Sequence, residues 1–530
     1  MIIEPLKQID NNNNANFESI LNIRNIQYYF PPLTLYGYIK NNSNERHRKK
    51  ILTKHSIHKM ITEDTALIYS QNKYKNTYDT KQIFVKANPI LEPLSYIMEN
   101  YSKLNTPYLP FIYDKKTIDK VNNINNSCYI DAFFSILSSK LVEKKKCPSF
   151  PLFYDTISCI SDKFRYDISD EYEMIKYESW FLNNINKTFR VISNDSVLKY
   201  SIKKTTSFKN IGLSSHDNFN DTTEDIENLN VEELDIDELD IEELDIEELD
   251  IEELDINSEQ NSDNESNDDE IYNDIPIVLS NDDYSDDDEN EYFIELDNYP
   301  TQLIFLEKLD TTLTEYLQIK KYDLNNWGSD ELLSIFFQIC FGLAVAQKYY
   351  YFVHNDLHAS NIMFKKTNKT FLYFCCNKCY FKIPTFNKIT KIIDFGRATF
   401  YYKKRFFVSD VFRKDGDAEG QVSYPYKVNN KNNNVPNRSF DLSLLSVTIK
   451  DFFTEEYLEK HKNINRLLKK WTTDKFGKNI SDDNDNFDLY IDIARNMENA
   501  IPIEQFNDIA FKKFKINKRS IPKNSWIYYL

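Results

Sequence analysis

Glycine is scarce, with 8 in 530 residues, and none lies between Thr62 and Lys86. Because glycine has no Cβ, it lets backbone amides approach a phosphate closely, so a glycine-rich phosphate cradle is excluded from that stretch. Long apolar runs are also missing. Stretches such as Phe371 to Phe381 are too short to cross a bilayer and carry Lys378, while Met1-Ile-Ile-Glu-Pro lacks the basic start and apolar core of a secretory leader. A soluble protein with no membrane partner is expected. Seven cysteines, at 128, 147, 159, 340, 375, 376 and 379, sit mostly in apolar runs. They form no disulfide framework, which points to a reducing compartment such as cytoplasm. Cys376-Asn-Lys-Cys379 has no second pair at finger-like spacing, so a hairpin turn between Phe371 and Phe381 is expected there rather than a zinc site.

Basic residues are absent from 216 to 297, which hold 36 of the 83 acidic residues; the rest of the chain carries 65 basic residues against 47 acidic ones. The net charge of −18 therefore describes a basic body with an acidic segment. Within the segment, Val231-Glu-Glu-Leu-Asp235 opens five pentads ending at Asp255. A five-residue period fits neither 3.6 nor 2, so its apolar positions share no face, and disorder or transient helix is expected. Such an insertion is thermodynamically cheap, since each doubling of an exposed loop costs only about 0.6 kcal/mol. A basic partner, either this chain's own body or another protein, suits it. Basic clusters at Arg46 to Lys50, Lys144 to Lys146 and Lys512 to Arg519 lack a nucleic-acid fold signature and read as solvated surface, so no specific nucleic acid is expected.

Against these absences stand two acidic signatures in order, His354-Asn-Asp-Leu-His-Ala-Ser-Asn361 and Asp394-Phe-Gly396. Together they supply what phosphoryl transfer requires. A carboxylate must orient and deprotonate the acceptor hydroxyl, and metal ions must be held against the phosphates. Asp356 is the candidate base. Asn361, five residues on, and Asp394, at the end of the apolar strand Lys391-Ile-Ile393, are the candidate magnesium ligands. Phe352-Val353 leads into the first loop, and Asn361 to Phe364 leads out.

These segments resemble the catalytic loop and magnesium motif of the eukaryotic-type protein kinase superfamily. The resemblance extends further. Gln302 to Leu309 with Thr312 to Leu317 is similar to the fifth strand, hinge and first helix of the larger lobe, which makes Leu306 the gatekeeper and the backbone of Glu307 to Leu309 the adenine support. Leu332 to Tyr350 is similar to the long buried helix before the catalytic loop, and Asp441 in Ser439-Phe-Asp-Leu442 to the aspartate bracing that loop from beneath. Lys81-Gln-Ile-Phe-Val-Lys86 resembles the strand whose lysine, here Lys86, holds the α and β phosphates. An amphipathic helix from Asn125 to Leu141 would bring its partner, for which Asp131 is preferred over Glu143.

With Phe-Val-Lys-Ala-Asn-Pro-Ile-Leu-Glu-Pro at 84 to 93, the chain most resembles serine/threonine kinases of large nucleocytoplasmic DNA viruses of the mimivirus kind, over roughly 60 to 215 and 299 to 515. The wealth of Asn, Lys, Ile, Tyr and Phe suggests an AT-rich genome. The resemblance implies an α+β, bilobal fold: an N-terminal extension over 1–61, a β-rich small lobe over 62–215, the acidic insertion over 216–298, and the hinge with a larger helical lobe over 299–530. It implies ATP and Mg2+ as cofactors, protein hydroxyls as substrates, and a host-cell cytoplasmic site with packaging in virions where the source is viral.

Three departures shape that expectation. The glycine loop is lacking. Asn355 replaces the arginine that docks a phosphorylated activation loop, so no phosphorylation requirement is expected. His358 stands where a lysine usually contacts the γ-phosphate, and a histidine carries only part of a charge near neutral pH. A kinase fold acting as a weak or inactive scaffold, and a small-molecule kinase, are the competing functions.

Overall fold

The computed structural model describes residues 22–27, 30–32, 48–52, 55–62, 64–72, 77–101, 108–110, 118–169, 171–193, 231–235, 291–324, 327–403, 405–413, 416, 418–419, 421, 436–482 and 487–530. The chain has a mixed α+β architecture, with a curled antiparallel sheet in its N-terminal part and helices predominating later. The sheet has seven strands: β1 Ile23–Gln27, β2 His55–Thr62, β3 Thr65–Asn72, β4 Thr77–Pro89, β5 Phe153–Asp167, β6 Phe189–Ser193 and β7 Tyr292–Glu307. Their order is β1-β5-β7-β4-β3-β2, with β6 also paired to β7.

Alternation along β4 decides what each face does. Ile83 and Val85 are buried on one face with Leu303 and Phe305 of β7. Lys86 and Asn88 have the opposite parity, the side on which Ile304 and Leu306 join the main core. Onto that side packs helix α1, Ser127–Glu143, begun by Asn126, whose Oδ1 accepts from the Cys128 N–H at 3.2 Å. The helix was expected to be amphipathic, yet fourteen of its seventeen residues are buried. It lies between the sheet and the later helical part, so its second face is covered too. Phe134 stacks on Phe352 with centroids 4.1 Å apart, and Phe133 lies 5.2 Å from Phe407.

The later part is built around α3, Ser329–Tyr350, which follows α2, Leu313–Lys321. A reciprocal capping box between Thr312 and Glu315 starts α2. By length and composition α3 is apolar enough to cross a membrane, but 83% of its most apolar window is buried inside the protein, which marks it as a core helix. At Gly342 it meets its neighbours closely: a Cβ there would stand 2.8 Å from the Ser149 Cβ. The Ser149 carbonyl accepts from the Ile392 N–H at 2.8 Å, so this tight crossing also fixes the strand leading to Asp394. That strand, β11 (Lys388–Ile392), pairs with β8 (Ile362–Lys366), with Ile362 opposite Ile392. Between them, β9 (Phe371–Cys376) and β10 (Cys379–Pro384) form a hairpin. Its two-residue turn, Asn377-Lys378, has positive φ at both positions, as the tight primed turn requires, and Cys376 faces Cys379 in register. Helices α4 (Phe440–Ile449) and α5 (Lys462–Thr472) complete the part, with fully buried Trp471 edge-on to Phe336.

Several expected boundaries shift. The first two strands were expected between Thr62 and Lys86; the structure has His55–Thr62 and Thr65–Asn72 ahead of Thr77–Pro89, with β1 in the same sheet. Strand β7 starts at Tyr292 rather than near 299, because Phe293 to Asp297 pair with β5 and β6 before the strand reaches β4. The first acidic pentad, Val231–Asp235, is a strand lying parallel to Arg48–Leu52, contrary to the expected disorder or transient helix. Pairing supplies the backbone partners that an isolated pentad lacks. The remaining pentads, and the segment up to 290, lie outside the described residues.

Candidate active site

The register of β4 aims Lys86 at α1, and the helix delivers Asp131 to it. Lys86 Nζ lies 2.6 Å from Asp131 Oδ2 and 2.9 Å from Asp394 Oδ1. Asn88, two residues along on the same face, donates to Asp131 Oδ2 at 2.7 Å, and the Phe395 N–H donates to Asp131 Oδ1 at 3.0 Å. Asp131 is thus satisfied on both oxygens by three donors from two elements, β4 and the loop that carries Phe395. Burial alone would push Lys86 down and Asp394 up. The mutual attraction wins: the two carboxylates raise Lys86 well above the ordinary lysine range, and Lys86 brings Asp394 down to about 2.

That pairing has a pH signature. Unfolded, an aspartate titrates near about 4. The folded value of Asp394 is lower, so its stabilisation is complete above the unfolded value and disappears as pH falls toward the folded one. The stability difference between the wild type and Asp394→Asn, measured by denaturant titration, should narrow by on the order of 2 kcal/mol between about pH 5 and about pH 2. A difference that stays constant over that range contradicts the pairing.

Asp356 and Asn361 sit on the loop between Val353 and β8. The Asn361 Nδ2 donates to the Asp356 carbonyl at 2.8 Å and lies 3.1 Å from His358 Nε2. The Ile393 N–H donates to the Asn361 carbonyl at 3.0 Å, which brings Asn361 beside the residue preceding Asp394. The Asp356 carboxylate lies 3.9 Å from His358 Nε2 and 3.6 Å from Arg397 Nη1. From beneath, Asp441 accepts from the N–H groups of His354 and Asn355 at 3.0 to 3.1 Å. Burial pushes Asp441 up to about 7 against the pull of those two donors.

Two backbone positions are held in the left-handed region, Asn355 (φ 62°) and Asp394 (φ 65°). Such residues persist where surrounding bonds over-determine them, and Asn tolerates the conformation better than most side chains. Asn355 Nδ2 reaches the carbonyls of Val353 and Arg397 and the Thr399 hydroxyl at 3.0 to 3.3 Å. This asparagine stitches the two loops together.

Leu306 is buried in β7 opposite Phe84 and Phe153. The Glu307 N–H donates to the Leu152 carbonyl at 2.8 Å, and its carboxylate lies 3.1 Å from Lys391 Nζ, which holds it below the ordinary glutamate range despite burial. Leu309 is half-buried in the link to α2. The eight residues expected at the site therefore lie on β4, β7, the link that follows β7 and the two loops. Asn88 and Arg397 join them without having been assigned to the chemistry. Asn88 was detectable by its two-residue spacing from Lys86, whereas nothing in the sequence placed Arg397 beside Asp356.

Between β2 and β3 the chain makes a hairpin with Thr62 paired to Thr65. Asp64 Oδ1 accepts from the Thr62 and Thr65 hydroxyls at 2.6 and 2.9 Å, and Lys308 Nζ donates to the Thr65 hydroxyl at 2.9 Å. Among the described residues no group of three or more His, Cys, Asp or Glu side chains could hold a metal by itself. Asn361 and Asp394 supply one amide and one carboxylate, a set that fits an ion completing its shell with phosphate oxygens and water, as magnesium does, and not a protein-caged metal. No protein-family model matches the chain, and no curated protein matches it at a significant level.

Proposed function

We propose that the chain is an ATP- and Mg2+-dependent kinase that transfers the γ-phosphoryl group to serine or threonine hydroxyls of proteins, on a bilobal kinase-like fold whose small lobe is the sheet with α1. The observation that carries this reading is the Lys86 ammonium held between Asp131 and Asp394, with Asn361 bonded to Ile393, the residue before Asp394. Lys86, pre-oriented by Asp131, is suited to grip the α and β phosphates. Asn361 and Asp394 would hold magnesium, which when bound supplies charge neutralisation at the transferring group. Asp356 orients the acceptor hydroxyl and takes its proton as the new O–P bond forms and the bond to ADP breaks. His358, within hydrogen-bonding distance of Asn361 on the same loop, would supply the γ-phosphate contact. With the Glu307 N–H committed to Leu152, adenine contacts fall to the remaining backbone of residues 307 to 309 below Leu306.

A second reading, a weak or inactive kinase fold serving as a scaffold, is favoured by the short acidic hairpin at Asp64, which offers no glycine amides to the phosphates. One comparison separates the two. Purified chain with Mg-ATP and generic basic and acidic protein substrates should transfer phosphate, and Asp356→Asn should lose about 100- to 10,000-fold of that rate. No transfer by either protein would favour the scaffold, and equal measurable rates would remove Asp356 from the chemistry.

A further inference from the structure

Some 290 residues separate Lys120 from Asp410, yet their side chains meet in one of the least exposed ion pairs of the described structure. Each side chain is 3% exposed, and Lys120 Nζ donates to Asp410 Oδ2 at 2.7 Å. The other Asp410 oxygen accepts from the N–H of Ser127, the first residue of α1, at 3.0 Å. The Asp410 N–H in turn donates to the Asn125 carbonyl at 2.8 Å. Lys120 also contacts Glu92 Oε1 at 3.0 Å, just beyond β4, and Arg413 reaches the same oxygen at 3.4 Å. One residue before Asp410, the Ser409 hydroxyl donates to the Gly396 carbonyl at 2.6 Å.

The consequence is mechanical. Asp410 joins the end of β4, the start of α1 and the segment following Asp394-Phe-Gly396, the three pieces that bring Lys86, Asp131 and Asp394 together. A negative group at a helix N-terminus, paired with a buried cation, performs here what a phosphate on a mobile segment does when it docks on basic side chains. The charge is encoded in the sequence, so no modification is needed to supply it.

We infer that Asp410, clamped by Lys120, is a positioning residue that holds α1 in the arrangement needed for phosphoryl transfer, a built-in substitute for activating phosphorylation. The inference rests on the kinase reading for its kinetic consequence, but the clamp itself can be observed without activity. Asp410→Asn keeps the volume and one acceptor oxygen while removing the charge; Lys120→Met removes the cation. In both variants kcat should fall about 10- to 100-fold, as expected when catalytic groups lose their alignment, while KM for Mg-ATP changes by less than about threefold. The double variant should be no worse than the poorer single one, since both act through one contact. Phosphatase treatment of the wild type should leave kcat unchanged. Hydrogen exchange at the amides of residues 127 to 131 and 395 should accelerate in Asp410→Asn relative to the other helices.

Wild-type kcat in both folded variants, or loss of wild-type activity on dephosphorylation, overturns the inference. If the wild type transfers no phosphate at all, the kinase reading has failed; exchange then judges the clamp separately, with unchanged protection in both variants counting against it. If Asp410→Asn does not fold, Lys120→Met carries the same comparison.

Discussion

Asp394→Asn should abolish nearly all magnesium-dependent phosphoryl transfer, by about 100-fold or more, while leaving the protein folded. The fold survives because Lys86 keeps its 2.6 Å partner Asp131, and Asn88 and the Phe395 N–H still satisfy that carboxylate. Activity should not, because an amide neither carries the charge proposed to hold magnesium nor fixes the ammonium from the second side. Lys86→Met makes an instructive contrast. It leaves Asp131, with a side chain 2% exposed, without its cation and next to Asp394. Removing one partner of a buried pair costs about 3–5 kcal/mol, so this variant should lose stability together with activity. Parallel denaturant titrations and transfer assays on the two variants check both halves of the expectation. Full transfer by Asp394→Asn, or no loss of stability in Lys86→Met, contradicts the account of the site.

Phe134→Ala should cost about 3–5 kcal/mol of stability. The ring is fully buried and touches Phe352 face to face, with Phe150, Tyr350, Phe395 and Phe400 around it at 4.9 to 6.3 Å. These neighbours come from the segment before β5, α3, the two candidate catalytic loops and the 399–408 hairpin, so they cannot all collapse into the space left behind. Phe395 follows Asp394 directly, so its loosened packing should also slow transfer under conditions where the variant is still folded. Denaturant unfolding gives the first number and a steady-state rate the second. A stability loss under about 1 kcal/mol would show that α1 is not the keystone its burial implies.

Much of this arrangement was legible in the sequence because it rests on local order. The alternation of Lys81 to Lys86, the apolar length of Leu332 to Tyr350, and the turn at Asn377-Lys378 each specify an element from its own residues. The helix opening at Ser439-Phe-Asp-Leu442 was also visible, and the bracing place of Asp441 on it came from the resemblance. What escaped was set by partners distant in the chain. Helix α1 has sequence enough for one buried face, and only its position between two layers explains why the other face is buried too. Arg397 beside Asp356 and the pairing of Lys120 with Asp410 depend on loop geometry that no periodicity encodes. The early strands were displaced for a simpler reason: with no glycine to mark a phosphate loop, the tight turn at Thr62 to Thr65 looked like the start of the sheet rather than its first hairpin.

The most direct test of the central claim is mass-spectrometric detection of phosphate on protein hydroxyls after incubation with the purified chain and ATP. Phosphate should appear on serine or threonine of a generic substrate, require added Mg2+, and drop by about 100-fold or more with Asp394→Asn. Incorporation that is the same with Asp394→Asn as with the wild type, or that needs no Mg2+, would contradict it.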